Sequence, residues 1–351
     1  MSNEDQQLDD SENGQQNISP EMAEKIPVGM QAQLDAPSYQ GMLSFGKFPF
    51  LTEPSQLDEF KPDVAVVGAP YDSNTSNRPG ARFGPQSLRS DWYHPGTYNI
   101  DLEIEIFDYL NCVDFADAIC KAGMWEPSRK AIFDRVLEVT SRSIFPVTLG
   151  GDHSIVVPAF EAVAEKYGKG KVGIVHFDAH ADTGNIIDGN LYSHGTPMRR
   201  LIESGAVNGE NFIQIGLRGY WPGEKEFIWM KEQGMRWHTM QDIWDNGIKD
   251  TLDKAIVQAS QGCDYTYLSV DVDCLDPSIA PGTGTPEPGG LIAADLLRSV
   301  RRVALETNLV GMDIVEVAPA YDVSETTVNV AHRAVWEVLS GLAFKKRALR
   351  K

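Results

Sequence analysis

Basic residues are in short supply: 31 Lys and Arg face 50 Asp and Glu, leaving a formal net charge of −19. A nucleic-acid surface needs clustered Lys and Arg, so this balance excludes it and matches a small cationic partner better. Cysteine is scarce too. The four present, Cys112, Cys120, Cys263 and Cys274, form no CxxC pair, which excludes zinc-finger and dithiol redox motifs and fits reduced thiols in a cytoplasm. No run approaches the ~18 apolar residues of a membrane span. The opening "MSNEDQQLDDSENGQQ" lacks both the basic and the apolar region of a secretory signal. The expectation is a cytoplasmic protein with no membrane partner.

What is present is a core. Hydrophobic residues make up 42% of 351 residues, enough to exclude global disorder. Residues 1–24 hold seven carboxylates and no Lys, Arg or aromatic residue, and so predict an acidic disordered tail. Residues 25–60 mix Pro and Gly with Met, Phe and Leu and predict an extended arm, packed on its own domain or on a neighbouring subunit. Residues 61–351 predict a single domain. Within it, β-rich runs alternate with helical ones: "DVAVVGAPYD" (63–72), "SIFPVTLGGDHS" (143–154), "KVGIVHFDAHAD" (171–182), "NFIQIGLRG" (211–219), "DYTYLSVDVDCLDP" (264–277) and "LVGMDIVEVAP" (309–319). Unbroken Val/Ile/Leu runs suit strands buried on both faces. Their alternation with stretches such as "AADLLRSVRRVALET" predicts a three-layer α/β/α fold with a mostly parallel sheet. Ligands of such sheets bind at the carboxyl ends of the strands, where the polar residues of four runs fall.

Those residues carry the chemistry. On extended strands, Asp178, His180 and Asp182 would share one side, as would Asp271 and Asp273. With His153 they make two imidazoles and four carboxylates at one pole of the sheet. Crowded carboxylates repel unless cations compensate them. A single ion would hardly use six ligands, whereas two bridged ions use them all. Hard oxygen donors with two imidazoles suit Mn²⁺ first, with Ni²⁺ as the alternative. His176 fits either a core histidine or a neighbour of the ligands, and Asp276 in "CLDP" fits a turn-holding role before Pro277.

The strings "GGDHS", "HFDAHAD", "SHGTPMRR", "SVDVDCLDPSIAPGTGTPEPGG" and "GMDIVEVAP" resemble those of the ureohydrolases, the arginase and agmatinase family. "GAPYDSNTSNRPGARFGPQSLR" is similar to the agmatinase-type opening. The resemblance, over roughly 60–345, implies an arginase/deacetylase-like fold, two divalent ions per subunit and hydrolysis of a guanidino C–N bond to urea plus an amine. It implies that His153, Asp178, Asp182 and Asp271 hold one ion and Asp178, His180, Asp271 and Asp273 the other, with Asp178 and Asp271 bridging. His194 matches the position of a proton shuttle and Glu316 that of the carboxylate pairing with the guanidinium; salt bridges from Glu316 to Arg218 or Arg333 are the rival reading. Such a reaction needs metal ions to bring the pKa of water towards ~7 and a histidine to protonate the departing amine. The resemblance also implies a homo-oligomer, trimer or hexamer.

Substrate choice falls to the loops. Glu287 and Asp188 favour a cationic tail, so agmatine, giving putrescine and urea, is the first candidate. Asn74 stands where many relatives have glycine, and Trp221 narrows the pocket. Both keep short substrates open: free guanidine, guanidinobutyrate, guanidinopropionate or an alkylated biguanide. A non-catalytic scaffold subunit is the alternative of another class.

Overall fold

Eight strands form one sheet, and every pairing in it is parallel. The structure, a computed structural model, describes residues 18–36, 39–90 and 96–350. The strands are β1 (Val64–Ala69), β2 (Cys112–Asp117), β3 (Phe145–Gly150), β4 (Val172–Phe177), β5 (Phe212–Leu217), β6 (Arg236–Thr239), β7 (Tyr265–Asp271) and β8 (Leu309–Val315). Their order across the sheet is β2-β1-β3-β8-β7-β4-β5-β6.

Alternation within each strand feeds two cores. Val64 and Val66 join Val175, Phe177, Leu268 and Ile314 on one face, whereas Ala65 and Val67 join Ile174, Phe212 and Val315 on the other. Helices α1 (Trp125–Thr140) and α2 (Val156–Tyr167) cover the second face; α3 (Ile248–Ser260), α4 (Ala293–Glu306) and α5 (Thr326–Leu349) cover the first. A parallel sheet needs this double cover, because β–α–β crossovers place helices on both sides and neither face meets water. The expected three-layer α/β/α architecture is therefore present. All six expected strands are there, and the two further ones, β2 and β6, lie at the sheet's edges.

Of the expected acidic tail, residues 1–17 lie outside the described residues. From Ile18 onward the chain is packed: Pro20–Ala23 is helical, and Ile18 and Met22 are buried with Ile26 and Leu34 in the α1/α2 core. The following arm packs on its own domain through Phe45, Phe48, Leu51 and Leu57. Among the described residues no helix is long and apolar enough to cross a membrane.

The sheet order sets up the site. Strands β3, β8, β7 and β4 carry the four polar motifs and are consecutive neighbours at the centre. Their carboxyl ends, distant in sequence, become one surface.

Candidate metal centre

β4 stops at Phe177, so Asp178, His180 and Asp182 are not carried on an extended strand as their alternation suggested. A local turn replaces the strand. Asp178 Oδ1 accepts the backbone N–H of His180 at 2.6 Å, and Asp271 Oδ1 accepts that of Asp273 at 2.8 Å. An aspartate whose carboxylate takes the N–H two residues on reverses the chain locally. Both motifs curl over their strand ends in this way, and Asp182 ends the first curl at φ 53°. In "GGDHS", Asp152 Oδ1 accepts the Ser154 N–H at 3.0 Å and caps the short turn that feeds α2. Gly151 is required beside it, since a Cβ there would lie 1.9 Å from the Tyr71 carbonyl oxygen.

These turns aim six side chains at one place. His153 Nδ1 lies 3.1 Å from Asp178 Oδ2, 3.0 Å from Asp182 Oδ2 and 3.2 Å from Asp271 Oδ2. His180 Nδ1 lies 3.0 Å from Asp273 Oδ2 and 3.5 Å from Asp178 Oδ1. Asp178 thus turns one oxygen to each histidine. Donor atoms around a six-coordinate ion with bonds of about 2.1 Å stand about 3 Å apart, which is the spacing found around His153. The cluster is buried except for the half-buried His180, and among the described residues His153 Nδ1 and Asp178 Oδ2 make no well-formed hydrogen bond. Buried polar atoms nearly always have partners. The donor set fits a pair of divalent cations sharing Asp178.

The electrostatics agree. Burial and the neighbouring carboxylates Asp273 and Asp178 push Asp271 well above the usual carboxylate range, and Asp273 rises through burial and Asp178. Burial works against charge on His180, yet Asp273 and Asp178 push it up to about 12. Carboxylates pushed towards neutrality beside an over-basic imidazole are the mark of negative charge crowded into low dielectric.

Beneath the ligands runs a buried row of which sequence reading named only His176. Thr148, Asp313, Ser269, His176 and Gln214 are successive register partners across β3, β8, β7, β4 and β5, and all five are fully buried. Ser269 donates to Asp313 Oδ1 at 2.8 Å and lies 3.0 Å from His153 Nε2. The Gln214 amide nitrogen lies 3.1 Å from His176 Nδ1, and His176 Nε2 faces Asp178 Oδ2 at 2.9 Å. His176 is thus a neighbour of the ligands. Fixing a ligand's unused nitrogen or oxygen in this way sets its orientation. The signal was in the strings: Ser269 precedes Asp271 and Asp273 at the same two-residue interval.

Glu316 and His194 join the pole from two further segments. Glu316, at φ 63°, accepts the His153 N–H at 2.8 Å on Oε1, and His194 Nδ1 lies 2.9 Å from the same oxygen. Burial works against a charged His194, but the carboxylates of Glu316, Asp152 and Asp182 together outweigh it and push the ring up to about 9. Neither rival partner reaches Glu316: Arg218 donates to backbone carbonyls of Asp273, Leu275 and Glu287, and Arg333 pairs with Glu337. The loop candidates are more scattered. Trp221 stands at the edge of the cluster, its ring centroid 6.1 Å from that of His180. Asn74 accepts the His194 N–H on its carbonyl, while its own amide is occupied by Ser154 and Asn190. Asp188 is exposed in the turn from Ile187 to Asn190, and Glu287 lies half-buried over Gly219; neither hydrogen-bonds to the cluster. Asp276 holds its turn, accepting N–H groups from Ser278, Gly289 and Gly290.

Fold and site together define a parallel α/β protein with a carboxylate–imidazole cluster suited to metal ions. The sequence profile of the arginase family matches residues 62–341. Mitochondrial agmatinase of Gallus gallus is 38% identical over 301 residues, 85% of this chain and 85% of its own length. Guanidinobutyrase of Pseudomonas aeruginosa is 36% identical over 308 residues, 87% of this chain and 93% of its own. The solved structure of proclavaminate amidino hydrolase from Streptomyces clavuligerus superposes with a TM-score of 0.79 at 35% identity, covering 88% of this chain and 99% of its own. The chain belongs to the arginase family, the dinuclear metal-dependent ureohydrolases that cleave guanidino C–N bonds. The scaffold alternative gives way to a hydrolase.

Proposed function

We infer that the substrate is a small guanidino compound whose far end carries no carboxylate, with agmatine the first candidate. One observation carries this reading: the arginines flanking the site loops are already committed. Arg78 donates to the carbonyls of Thr283 and Gly284 and stacks on Tyr321; Arg82 pairs with Asp72; Arg218 is spent on carbonyls. A carboxylate tail would call for a free guanidinium. The acidic Glu287 and Asp188 favour an ammonium instead. Among the named relatives, one is an agmatinase and another a guanidinobutyrase, so both tail chemistries occur in the family. A shorter substrate, free guanidine or an alkylated biguanide, is the second reading, favoured by Trp221 beside His180.

In this reading His153, Asp178, Asp182 and Asp271 hold one ion and Asp178, His180, Asp271 and Asp273 the other, Mn²⁺ first and Ni²⁺ as alternative. The ions, when bound, supply the positive charge that ionises water near neutral pH. Glu316 holds the guanidinium through Oε2, a buried oxygen with no hydrogen-bond partner among the described residues. His194 carries a proton to the departing amine nitrogen, from a ring already oriented by Glu316. The enzyme works as a cytoplasmic homo-oligomer.

The test is urea release from protein loaded with Mn²⁺ or Ni²⁺, across agmatine, guanidine, guanidinobutyrate, guanidinopropionate and an alkylated biguanide. Agmatine or guanidine should give the highest kcat/KM. A higher value for guanidinobutyrate would refute the carboxylate-free tail.

A further inference from the structure

His194 has two ring nitrogens, and the structure engages both. Nδ1 faces Glu316, on the side assigned to the guanidinium. Nε2 points the other way, to Ser76, whose backbone N–H donates to it at 3.1 Å and whose Oγ lies 2.7 Å away. That backbone donor makes Nε2 an acceptor in the neutral ring and leaves the ring hydrogen on Nδ1. When the ring is a cation, Nε2–H needs an acceptor, and Oγ is in reach. One residue thus serves both protonation states, as a group that cycles between them requires.

Ser76 also has the right position. His194 is 7% exposed, whereas Ser76 is exposed. The charged groups acting on His194 are Glu316 after β8, Asp152 after β3 and Asp182 after β4, and all three are buried. The serine hydroxyl is a neutral group that touches the ring and reaches the surface.

We propose that the Ser76 hydroxyl is the relay connecting His194 with solvent, a role that rests on His194 as the proton carrier. As the amine departs, the Nδ1–H bond breaks and an amine N–H bond forms. Nε2 takes the hydroxyl proton of Ser76, and solvent returns a proton to Oγ. When the next water ionises, its proton reaches Nδ1 while Nε2 returns one through Oγ to solvent, so the starting tautomer is restored and the protons balance.

Steady-state kinetics of the metal-loaded enzyme test this with S76A, S76T and H194A. Ser76→Ala keeps the backbone N–H and removes only the hydroxyl. It should lower kcat about tenfold with KM within about twofold, and added imidazole, a small proton carrier, should restore kcat. S76T keeps a hydroxyl and should stay within about threefold of the parent. Wild-type kcat in S76A beside an inactive H194A overturns the relay. So does a loss in S76A that neither imidazole nor threonine repairs, which marks a structural role. Full turnover by H194A is a separate result, removing the carrier and the relay with it.

Discussion

Arg89 and His153 both bring buried side-chain nitrogens within reach of aspartates, but their surroundings differ. The Arg89 guanidinium donates to Asp114 Oδ2 at 2.7 Å, to Asp114 Oδ1 at 2.9 Å and to Asp117 Oδ1 at 2.5 Å. Asp114 also accepts the N–H groups of Phe45 and Ala116. The group is closed so tightly that a Cβ on Gly68 would lie 1.8 Å from Asp117 Oδ1. Around His153 three carboxylate oxygens crowd one nitrogen, and among the described residues Nδ1 and Asp178 Oδ2 form no well-made hydrogen bond. A closed set of charges builds architecture; a set with surplus negative charge and converging donors builds a cation site.

Substitutions that open the closed group or relieve the crowded one test that distinction. Asp178→Ala removes the carboxylate shared by both histidines. Metal-supplied charge is worth several kcal/mol in the transition state, so urea release should fall on the order of 10³-fold or more. Retained turnover would sink the shared-ligand assignment. Arg89→Ala should act on stability instead, leaving Asp114 buried and unpaired at a cost of about 3–5 kcal/mol in denaturant unfolding. Loss of less than about 1 kcal/mol would show that the pair is not what holds β2 to the helix bearing Arg89.

His194 offers a pH-dependent measurement. Its folded pKa of about 9 exceeds the ordinary 6.5, so its contribution is fully present below pH 6.5 and is lost as pH rises through about 9. Across that window the metal-free protein should lose up to about 3 kcal/mol, and H194Q should flatten the curve. An unchanged curve in H194Q would reject the Glu316 pairing as its cause. The smallest effect is expected from Asp276→Ala. Hydrogen bonds from Ser278, Gly289 and Gly290 hold that carboxyl down to about 2, but the group is near the surface, so thermal unfolding should register about 1 kcal/mol or less.

Legibility in the sequence followed burial. "VAVVGA" and "VGIVHF" are covered on both faces and read as strands without help. "CVDFAD" hides β2, because its central Asp114 looks like a break until Arg89 is placed against it. "RWHT" of β6 is an edge strand with partly exposed residues, so hydrophobic patterning marks it poorly. The ligand residues stood out because carboxylates after apolar runs are costly without a reason. Their geometry did not: alternation predicts an extended strand, whereas the aspartate turns at His180 and Asp273 arise from side-chain-to-backbone bonds that no periodicity encodes. Ser76 was silent for another reason. A serine in an exposed loop is unremarkable until a chain 118 positions away places His194 beside it.

The central placement of β3, β8, β7 and β4 also bears on how the protein is made. The candidate ligands are drawn from segments spread between His153 and Asp273, and Glu316 arrives last. A nascent or partly unfolded chain can offer "DAHAD" alone, too few donors for two ions. Strong metal capture therefore waits on completion of the sheet, and bound metal then favours that finished topology by mass action. In a cell, such an arrangement couples metal acquisition to quality control: the ions reward chains that have folded and ignore those that have not.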